Sequence, residues 1–326
     1  MRINALRLAL ACALLAASAS GTAVQAADYP NRPVTMIVPN PPGGASDINA
    51  RLLVNPLAAA LKQPVVLLNK PGMGGAIGTA QAANSRPDGY TILLALSVVV
   101  VAPDAERISG RKPPYELEQL EPVALMSSDP MLVIVRADAP WKNINEFLTA
   151  ARAAPGKISY ASSGNFGPIH LSMEMLLAEA KVKLLHVPFG GGGPALLALL
   201  SGNVDATTGA PSVVGPQIAA GKVRPIAVSS AKRLPAYPDV PTYRELGYDA
   251  EYYIWASIYV PAGTPPEATR VLREALKTAI HTPEFAAGMA AQGLTVSYMD
   301  APEFKAYADA DAKRMIRIVQ RIGKVD

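Results

Sequence analysis

The chain has 326 residues, half of them hydrophobic, and its 30 basic and 26 acidic side chains leave a formal net charge of +4. This length exceeds the usual size of a single hydrophobic core and predicts two domains of ordinary dimensions. So small a charge, scattered along the chain, argues against a nucleic-acid partner, although it is compatible with a small anionic ligand.

The start of the chain has the pattern of a targeting segment. Arg2 and Arg7 form a positive start, an apolar run follows, and Val24-Gln25-Ala26 provides a small-residue cleavage site. We therefore expect a signal peptide over residues 1–26, with cleavage near Ala26 and export of the remainder. Loss of the two arginines lowers the formal charge from +4 to +2.

The cysteine content excludes several kinds of chemistry. Cys12 is the only cysteine and lies inside the predicted signal peptide. The apolar run before it is too short to favour lipidation, so plain cleavage is preferred. The mature chain then has no disulfide, no thiolate nucleophile and no cysteine metal ligand. No later stretch has the 18 or more uninterrupted apolar residues of a membrane span.

The first predicted strand, Val34 to Val38, runs into a loop rich in proline and glycine. We expect Ser46 or Asp47 to cap the helix that follows. Glycines let the backbone approach a ligand closely, and the first helical turn offers N–H groups without intrahelical partners at the positive end of the helix dipole. Such a corner can hold an anion, although most strand-to-helix turns of this kind bind nothing.

Two features argue against a nucleotide at this corner. The loop lacks the Gly-Lys-Ser/Thr ending of a phosphate-binding loop. The later run Gly72 to Gly78 has Ile77 where the third glycine of the dinucleotide fingerprint would stand. No nucleotide cofactor is therefore predicted.

The first half of the mature chain alternates strands and helices. Strands are predicted at Val65 to Leu68 and Tyr90 to Ala95, with a small-residue helix between them, and this order is typical of parallel βαβ units. Pro56 should kink or split the first helix. Ser97 and the run Val98 to Val101 either prolong the third strand or lie where its carboxyl end meets a ligand crevice.

The middle of the chain predicts the domain division. Val123 to Met126 and Met131 to Val135 read as two strand pieces, and we interpret the polar break between them as the first crossing between domains. Tyr252 to Val260 reads as a strand that returns to the first domain. The predicted domains are residues 27–127 with 249–326, and residues 128–248.

A second corner repeats the first. A strand from Ile158 runs into the hydroxyl- and glycine-rich loop Ser162 to Gly167, and Pro168 fits the first turn of the next helix. Two facing anion corners predict a clamp. His170 lies inside that helix without an acidic partner nearby in sequence, which favours a structural or ligand-edge role over catalysis.

The rest of the chain adds helices but no catalytic constellation. Thr264-Pro265-Pro266-Glu267 and Asp300-Ala301-Pro302-Glu303 resemble capping boxes for two further helices. There is no Gly-x-Ser-x-Gly nucleophile elbow. The three histidines are too dispersed for a recognisable metal motif. We predict no catalytic residue, no metal and no cofactor.

Taken together, these stretches resemble the extracytoplasmic substrate-binding receptors of tripartite tricarboxylate transporters, the Bug family. The resemblance covers essentially the whole mature chain. The stretches that carry it are Tyr29-Pro30, Pro41-Pro42-Gly43-Gly44 to Asp47, Gln63-Pro64-Val65-Val66 to Gly75, Pro87-Asp88-Gly89-Tyr90-Thr91, Tyr160 to Asn165, Val187-Pro188-Phe189, Gly202-Asn203-Val204-Asp205, Ala231-Lys232-Arg233 and Pro261-Ala262-Gly263-Thr264-Pro265.

The resemblance implies an α/β, two-domain periplasmic-binding-protein fold, type II-like, with a mostly parallel sheet in each domain and the ligand cleft between them. It implies a periplasmic, monomeric protein that closes on a small organic carboxylate and delivers it to the membrane subunits of a transporter. A sensor that presents the bound carboxylate to a membrane signalling partner is the alternative. The resemblance implies that two loops grip the carboxylate, Pro42, Gly43, Gly44, Ala45, Ser46 and Asp47 in one domain and Ser162, Ser163, Gly164, Asn165, Phe166 and Gly167 in the other. To these ligand-binding residues the sequence pattern adds Ser97 and His170.

Several positions depart from the family pattern. Asn40 stands where an aromatic residue is usual, Gly190 where Lys or Arg is common, and Gly209 in place of a frequent Asp. Pro168-Ile169 replaces small polar residues. With Val98 to Val101, these changes predict a carboxylate with an apolar or aromatic body in preference to citrate or an amino acid.

Overall fold

The structure is a computed structural model that describes residues 29–324, so the predicted signal peptide lies outside the described residues. Eleven strands and ten helices are present in that range. The strands are β1 Val34–Val38, β2 Val65–Asn69, β3 Thr91–Leu96, β4 Leu120–Pro130, β5 Leu132–Arg136, β6 Ser159–Ser162, β7 Leu185–Pro188, β8 Ala206–Gly209, β9 Val223–Val228, β10 Tyr253–Pro261 and β11 Val296–Asp300. The helices are α1 Ala45–Leu61, α2 Ala76–Ala83, α3 Ala102–Ile108, α4 Ile144–Ala153, α5 Pro168–Ala180, α6 Gly192–Leu200, α7 Pro211–Ala219, α8 Pro266–Ile280, α9 Pro283–Ala291 and α10 Ala301–Ile322.

The strands form two sheets, each of which is the centre of a lobe. Lobe 1 has the order β11-β4-β10-β3-β1-β2, and lobe 2 has the order β7-β6-β8-β5-β9. The first sheet takes its strands from residues 34–130 and 253–300, and the second from residues 132–228. The two-domain α/β architecture is therefore confirmed, whereas the exact division at 127/128 and 248/249 stays a prediction.

Both sheets are mixed, but most strands in each run in one direction, as expected: β1, β2, β3 and β4 in lobe 1 and β6, β7, β8 and β9 in lobe 2. The predicted βαβ units are present, because β1 pairs in parallel with β2 and β3, and β6 with β7 and β8. The strands β5 and β10 run antiparallel to their neighbours. Each of them enters its sheet from the other lobe, so it starts at the edge where the parallel strands end.

Two local predictions are overturned by tertiary packing. The polar residues from Ser127 to Asp129 do not break the strand, because they continue β4 and pair with Ala256, Trp255 and Ile254 of β10. Pro56 does not split α1, which runs unbroken with Pro56 buried. The helix packs along α8, and this packing offsets the lost backbone hydrogen bond.

The C-terminal part of lobe 1 follows its hydrophobic pattern. Helix α8 buries the apolar positions Leu272, Ala275, Leu276 and Ala279 against lobe 1, and helical spacing places all four on one face. Asp300 is the N-cap of α10, but it accepts a hydrogen bond from the Ala301 N–H at 2.8 Å and not from the Glu303 N–H that the predicted capping box requires. The capping box expected for α8 is absent, because the residue at its N-cap is proline.

The sequence-based prediction missed three elements, α3, α9 and β11, because prolines and short apolar runs in these segments are also typical of loops. Between residues 29 and 324, no helix is both long enough and apolar enough to cross a bilayer.

Candidate functional site

The two lobes meet at the ends of their parallel strands and enclose a cavity of about 30 Å³. In an open α/β sheet this edge is the expected place for a ligand. The cavity is lined by Asn40, Gly44, Ala45, Ser46, Leu96, Met131, Ser163, Pro168, Ile169, Gly192, Leu196, Thr207, Thr208, Gly209, Ala210, Val213, Val214 and Ile254.

Four helices begin at this cavity. Helix α1 begins at Ala45 in lobe 1, and α5, α6 and α7 begin at Pro168, Gly192 and Pro211 in lobe 2. The first turn of each contributes to the wall or directly adjoins it. Each N-terminus carries a partial positive charge and N–H groups without intrahelical acceptors. The helix starts therefore make the cavity electropositive, although none of its described lining residues has a cationic side chain.

Asp47 shapes the first corner. Its buried carboxylate accepts hydrogen bonds from the Gly43 N–H at 3.0 Å, the Arg51 guanidinium at 2.8 Å and the Asn69 amide at 3.1 Å. Burial by itself raises the pKa of Asp47, but these hydrogen bonds and the Arg51 charge bring the pKa below its ordinary value. Asp47 therefore holds the loop in place as an anion.

The cap of α1 is Gly44, so the prediction of a cap by Ser46 or Asp47 is wrong. The Ser46 hydroxyl instead donates to Asn40 Oδ1 at 2.8 Å. Since that bond occupies Oδ1, the Asn40 side chain has its amide hydrogens to offer to a ligand. The amide of Asn69 donates to the Asn40 carbonyl at 3.0 Å and fixes the backbone of the loop.

The second corner uses most of its amides internally. The Gly164 N–H donates to the Ser162 hydroxyl, the Phe166 N–H to His170 Nδ1, and the Gly167 N–H to the Gly164 carbonyl. What this corner presents to the cavity is the Ser163 side chain and the start of α5. Ser163 Oγ accepts a long hydrogen bond of 3.4 Å from the Ile169 N–H, which leaves its own hydrogen to donate.

His170 lies behind the second corner, outside the cavity wall. Its Nδ1 accepts the Phe166 N–H at 2.9 Å, and Phe166 has a left-handed φ of 57°. The ring stacks on that of His186, which in turn lies 2.6 Å from the Ser162 hydroxyl. Burial, and secondarily His186, lowers the pKa of His170 to about 3, and burial lowers the pKa of His186 to about 4. Both rings are neutral at physiological pH.

The predicted site residues thus fall into three groups. Gly44, Ala45, Ser46 and Ser163 line the cavity. The residues that shape the two loops, or lie where one lobe touches the other, are Pro42, Gly43, Asp47, Ser162, Gly164, Asn165, Phe166, Gly167 and His170. Ser97 does not reach the cavity wall, because its hydroxyl lies in a buried contact 3.2 Å from the Tyr252 hydroxyl.

Sequence reasoning missed the wall contributed by β8 and α7. The Thr207 hydroxyl donates to the Ala161 carbonyl at 2.9 Å and the Thr208 hydroxyl to the Ile169 carbonyl at 3.2 Å, so both oxygens are left as acceptors. The sequence could have indicated Thr207 and Thr208 as site residues, because they lie at the carboxyl end of a predicted strand. Gly209 leaves room for Val214, because a Cβ at 209 would lie 2.2 Å from Val214 Cγ1.

The described part of the cavity wall contains no Asp, Glu, Lys, Arg or His. No group of three or more His, Cys, Asp or Glu side chains in residues 29–324 can hold a metal ion. Apart from the polar residues Asn40, Ser46, Ser163, Thr207 and Thr208, the larger side chains of the wall are apolar, namely Leu96, Met131, Ile169, Leu196, Val213, Val214 and Ile254. The arrangement suits one anionic group at the helix N-termini with an apolar remainder.

Comparisons with known proteins place this geometry among solute receptors. The family model described as "Tripartite tricarboxylate transporter family receptor" matches residues 49–324. Protein BugT of Bordetella pertussis is 32% identical over 325 residues, covering 98% of this chain and 99% of that protein. The structure of the periplasmic binding protein BugD superposes with a TM-score of 0.85 at 35% identity, covering 91% of this chain and 100% of that one.

Two similar structures contain a carboxylate. MatC from Rhodopseudomonas palustris with bound malate has a TM-score of 0.82 at 28% identity, covering 89% of this chain and 100% of that one. R. palustris Rpa4515 with adipate has a TM-score of 0.84 at 27% identity, covering 90% and 98%.

Proposed function

Since this chain belongs to the family of tripartite tricarboxylate transporter receptors, we propose that it captures a small organic carboxylate between its lobes and delivers it, as a monomer, to the membrane subunits of such a transporter. Its family and its structural neighbours are periplasmic solute receptors, so the chain is a periplasmic receptor and not an enzyme. Cleavage of the signal peptide near Ala26 is part of the same proposal.

The observation that carries the proposal is the convergence of four helix starts on one cavity without charged side chains. Hydrogen bonds to a charged group contribute roughly 1.5–3 kcal/mol each. Four or five such donors therefore approach the roughly 8 kcal/mol of micromolar binding. Because the donors come from both lobes, only the closed form satisfies the ligand fully, and the ligand shifts the population towards that form.

The residues that line the cavity indicate the class of ligand. A single carboxylate is accommodated by the helix N-termini together with the Asn40 amide and the Ser163 hydroxyl. The apolar side chains around them favour a branched or aromatic body. An ammonium group finds no carboxylate among the described lining residues, and a further carboxylate finds no cationic side chain there, so amino acids and citrate are disfavoured.

The volume of the cavity indicates how the ligand enters. A space of about 30 Å³ is close to the volume that two water molecules need, far below that of an organic acid. The lobes therefore separate for the ligand to enter, and the side chains of the cavity wall rearrange when the lobes close around it.

The test is a thermal-shift screen of residues 27–326 against small organic acids, followed by calorimetry with benzoate, a branched-chain acid, citrate and glutamate. We expect micromolar binding of the first two. Tight binding of citrate or glutamate, with neither apolar acid bound, would reject the ligand class. Binding of no carboxylate at all would reject the receptor proposal.

Delivery to a transporter is tested separately. Cross-linking of the ligand-loaded receptor to membranes of the source bacterium, followed by identification of the captured protein, should recover transporter subunits. Recovery of a membrane kinase in their place would favour the sensor alternative.

A further inference from the structure

The lobes touch each other through glycines. A Cβ added at Gly74 of lobe 1 would lie 3.2 Å from the Asn165 carbonyl oxygen of lobe 2. Likewise, a Cβ added at Gly193 of lobe 2 would lie 3.5 Å from the Pro42 carbonyl oxygen of lobe 1. The closed cleft therefore depends on backbone-to-backbone approach at its rim.

The tightest of these approaches is between Gly191 and Pro41. A Cβ at Gly191 would lie 2.6 Å from Pro41 Cγ and 2.8 Å from Pro41 Cδ, distances that real Cβ atoms do not reach. Within its own lobe the nearest atom would be Pro194 Cδ, at an ordinary 3.9 Å. The conflict would therefore arise only across the cleft.

The backbone of Gly191 does not itself require glycine. Its φ of 160° and ψ of 176° are extended values that alanine also adopts. The residue precedes the first turn of α6, and its carbonyl accepts the Ala195 N–H at 3.1 Å, a bond that alanine retains. A methyl group here is thus compatible with lobe 2 alone and incompatible only with full closure.

We infer that Gly191 sets how far the cleft closes and hence the affinity for the ligand, an inference that rests on the proposed receptor function. Its bare Cα allows the Pro41 ring to approach, and this brings the start of α6 to the cavity shared with α1. A methyl group at 191 destabilises the closed state and leaves the open state unchanged. The apparent affinity is then reduced by the same factor as the population of the closed state.

The neighbouring residue provides a matched control. Gly190 is exposed and lies in the same loop, but a Cβ there would meet nothing within 4 Å. Both substitutions remove one glycine from the same loop and so change the flexibility of the unfolded chain alike. Any difference between them reports the contact with Pro41.

The experiment measures the affinity of benzoate for the wild type, Gly191→Ala, Gly190→Ala, Pro41→Ala and the double variant Pro41→Ala/Gly191→Ala. We expect Gly191→Ala to weaken binding at least tenfold, and Gly190→Ala to stay within twofold of the wild type. The double variant should recover most of the loss, because alanine at 41 lacks the ring atoms Cγ and Cδ. The ligand-free melting temperatures of Gly191→Ala and Gly190→Ala should agree with each other. Equal affinity of the wild type and Gly191→Ala would overturn the inference.

A distance measurement separates this inference from the receptor proposal. Residues 27–326 contain no cysteine, so Gln81→Cys in lobe 1 and Leu197→Cys in lobe 2, both exposed, can carry spin labels. Gly191→Ala should shift the distance distribution away from the closed form, whereas Gly190→Ala should not. If the wild type binds no carboxylate, the receptor proposal fails. The ligand-free distance distributions then decide the inference, and identical distributions for both variants would overturn it.

Discussion

The imidazole rings of His170 and His186 stack almost parallel, with their centroids 4.0 Å apart and their planes at 7°. Tyr160 stacks against both rings, and its hydroxyl donates to Glu174 at 2.6 Å. This buried layer supports the second corner from behind, because His170 accepts the Phe166 N–H and His186 contacts Ser162. Two neutral imidazoles can stack in this way, whereas two charged ones would repel each other.

The stack predicts a loss of stability in mild acid. The pKa of His170 is lowered from 6.5 to about 3 in the fold, so the unfolded chain binds more protons at any pH between these values. The contribution of His170 to the free energy of unfolding is therefore at its full value above about pH 6.5 and decreases as the pH falls below that value. At pH 5, protonation of His170 in the unfolded chain lowers the free energy of unfolding by about 2 kcal/mol relative to its value at high pH.

Urea unfolding at pH 7 and pH 5 measures this loss. His170→Asn keeps an acceptor near the position of Nδ1 but does not titrate, so it should show a smaller difference between the two pH values than the wild type. Equal differences would contradict the proposed origin of the acid sensitivity.

Substitution of Asp47 should weaken both binding and folding. Asp47→Ala leaves the Gly43 N–H and the Asn69 amide without their buried acceptor, which costs about 1–3 kcal/mol of unfolding free energy. From sequence alone we would expect the melting temperature to stay unchanged, but the buried carboxylate argues against that. We expect at least a tenfold loss of affinity by calorimetry together with a lower melting temperature. Arg51→Ala is the control, since its exposed side chain contributes less than the two buried donors.

Substitution of Ser163 should weaken carboxylate binding without lowering the stability of the fold. Ser163 lines the cavity, while the contact of its hydroxyl with the Ile169 N–H is long at 3.4 Å. Ser163→Ala should therefore weaken carboxylate binding at least tenfold and leave the melting temperature within a degree or so of the wild type. An unchanged dissociation constant would remove Ser163 from the proposed site.

The space beside Gly209 should control discrimination between ligands. Gly209→Asp alone should be poorly folded, because its Cβ would overlap Val214. The double variant Gly209→Asp/Val214→Ala makes room for a carboxylate in the wall. We expect it to lose at least tenfold in affinity for apolar monocarboxylates and to gain relative affinity for glutamate. Val214→Ala alone is the control, and an unchanged preference in the double variant would contradict the assignment of this wall.

Much of the fold was predictable because its signals are local. The βαβ units around Val34–Val38 follow from apolar runs and glycine turns, and the buried face of Pro266–Ile280 follows from helical spacing. The two strand pieces expected in the middle of the chain do belong to different sheets, but the break lies at Met131 and not at Ser127, because polar residues can continue a strand when both neighbours in the sheet supply partners. Proline at 265 likewise removed a cap that the residue pattern suggested.

At the candidate site the sequence determined that two glycine-rich corners precede helices, since helix starts and close backbone approach are properties of short segments. Only the tertiary structure decided which groups remain available to a ligand. It shows that the second corner uses its amides on His170 and Ser162, that Thr207 and Thr208 complete the wall, and that Gly191 meets Pro41. The last two relationships join residues that lie far apart along the chain or on different lobes. They depend on strand order and lobe closure, which no local pattern encodes.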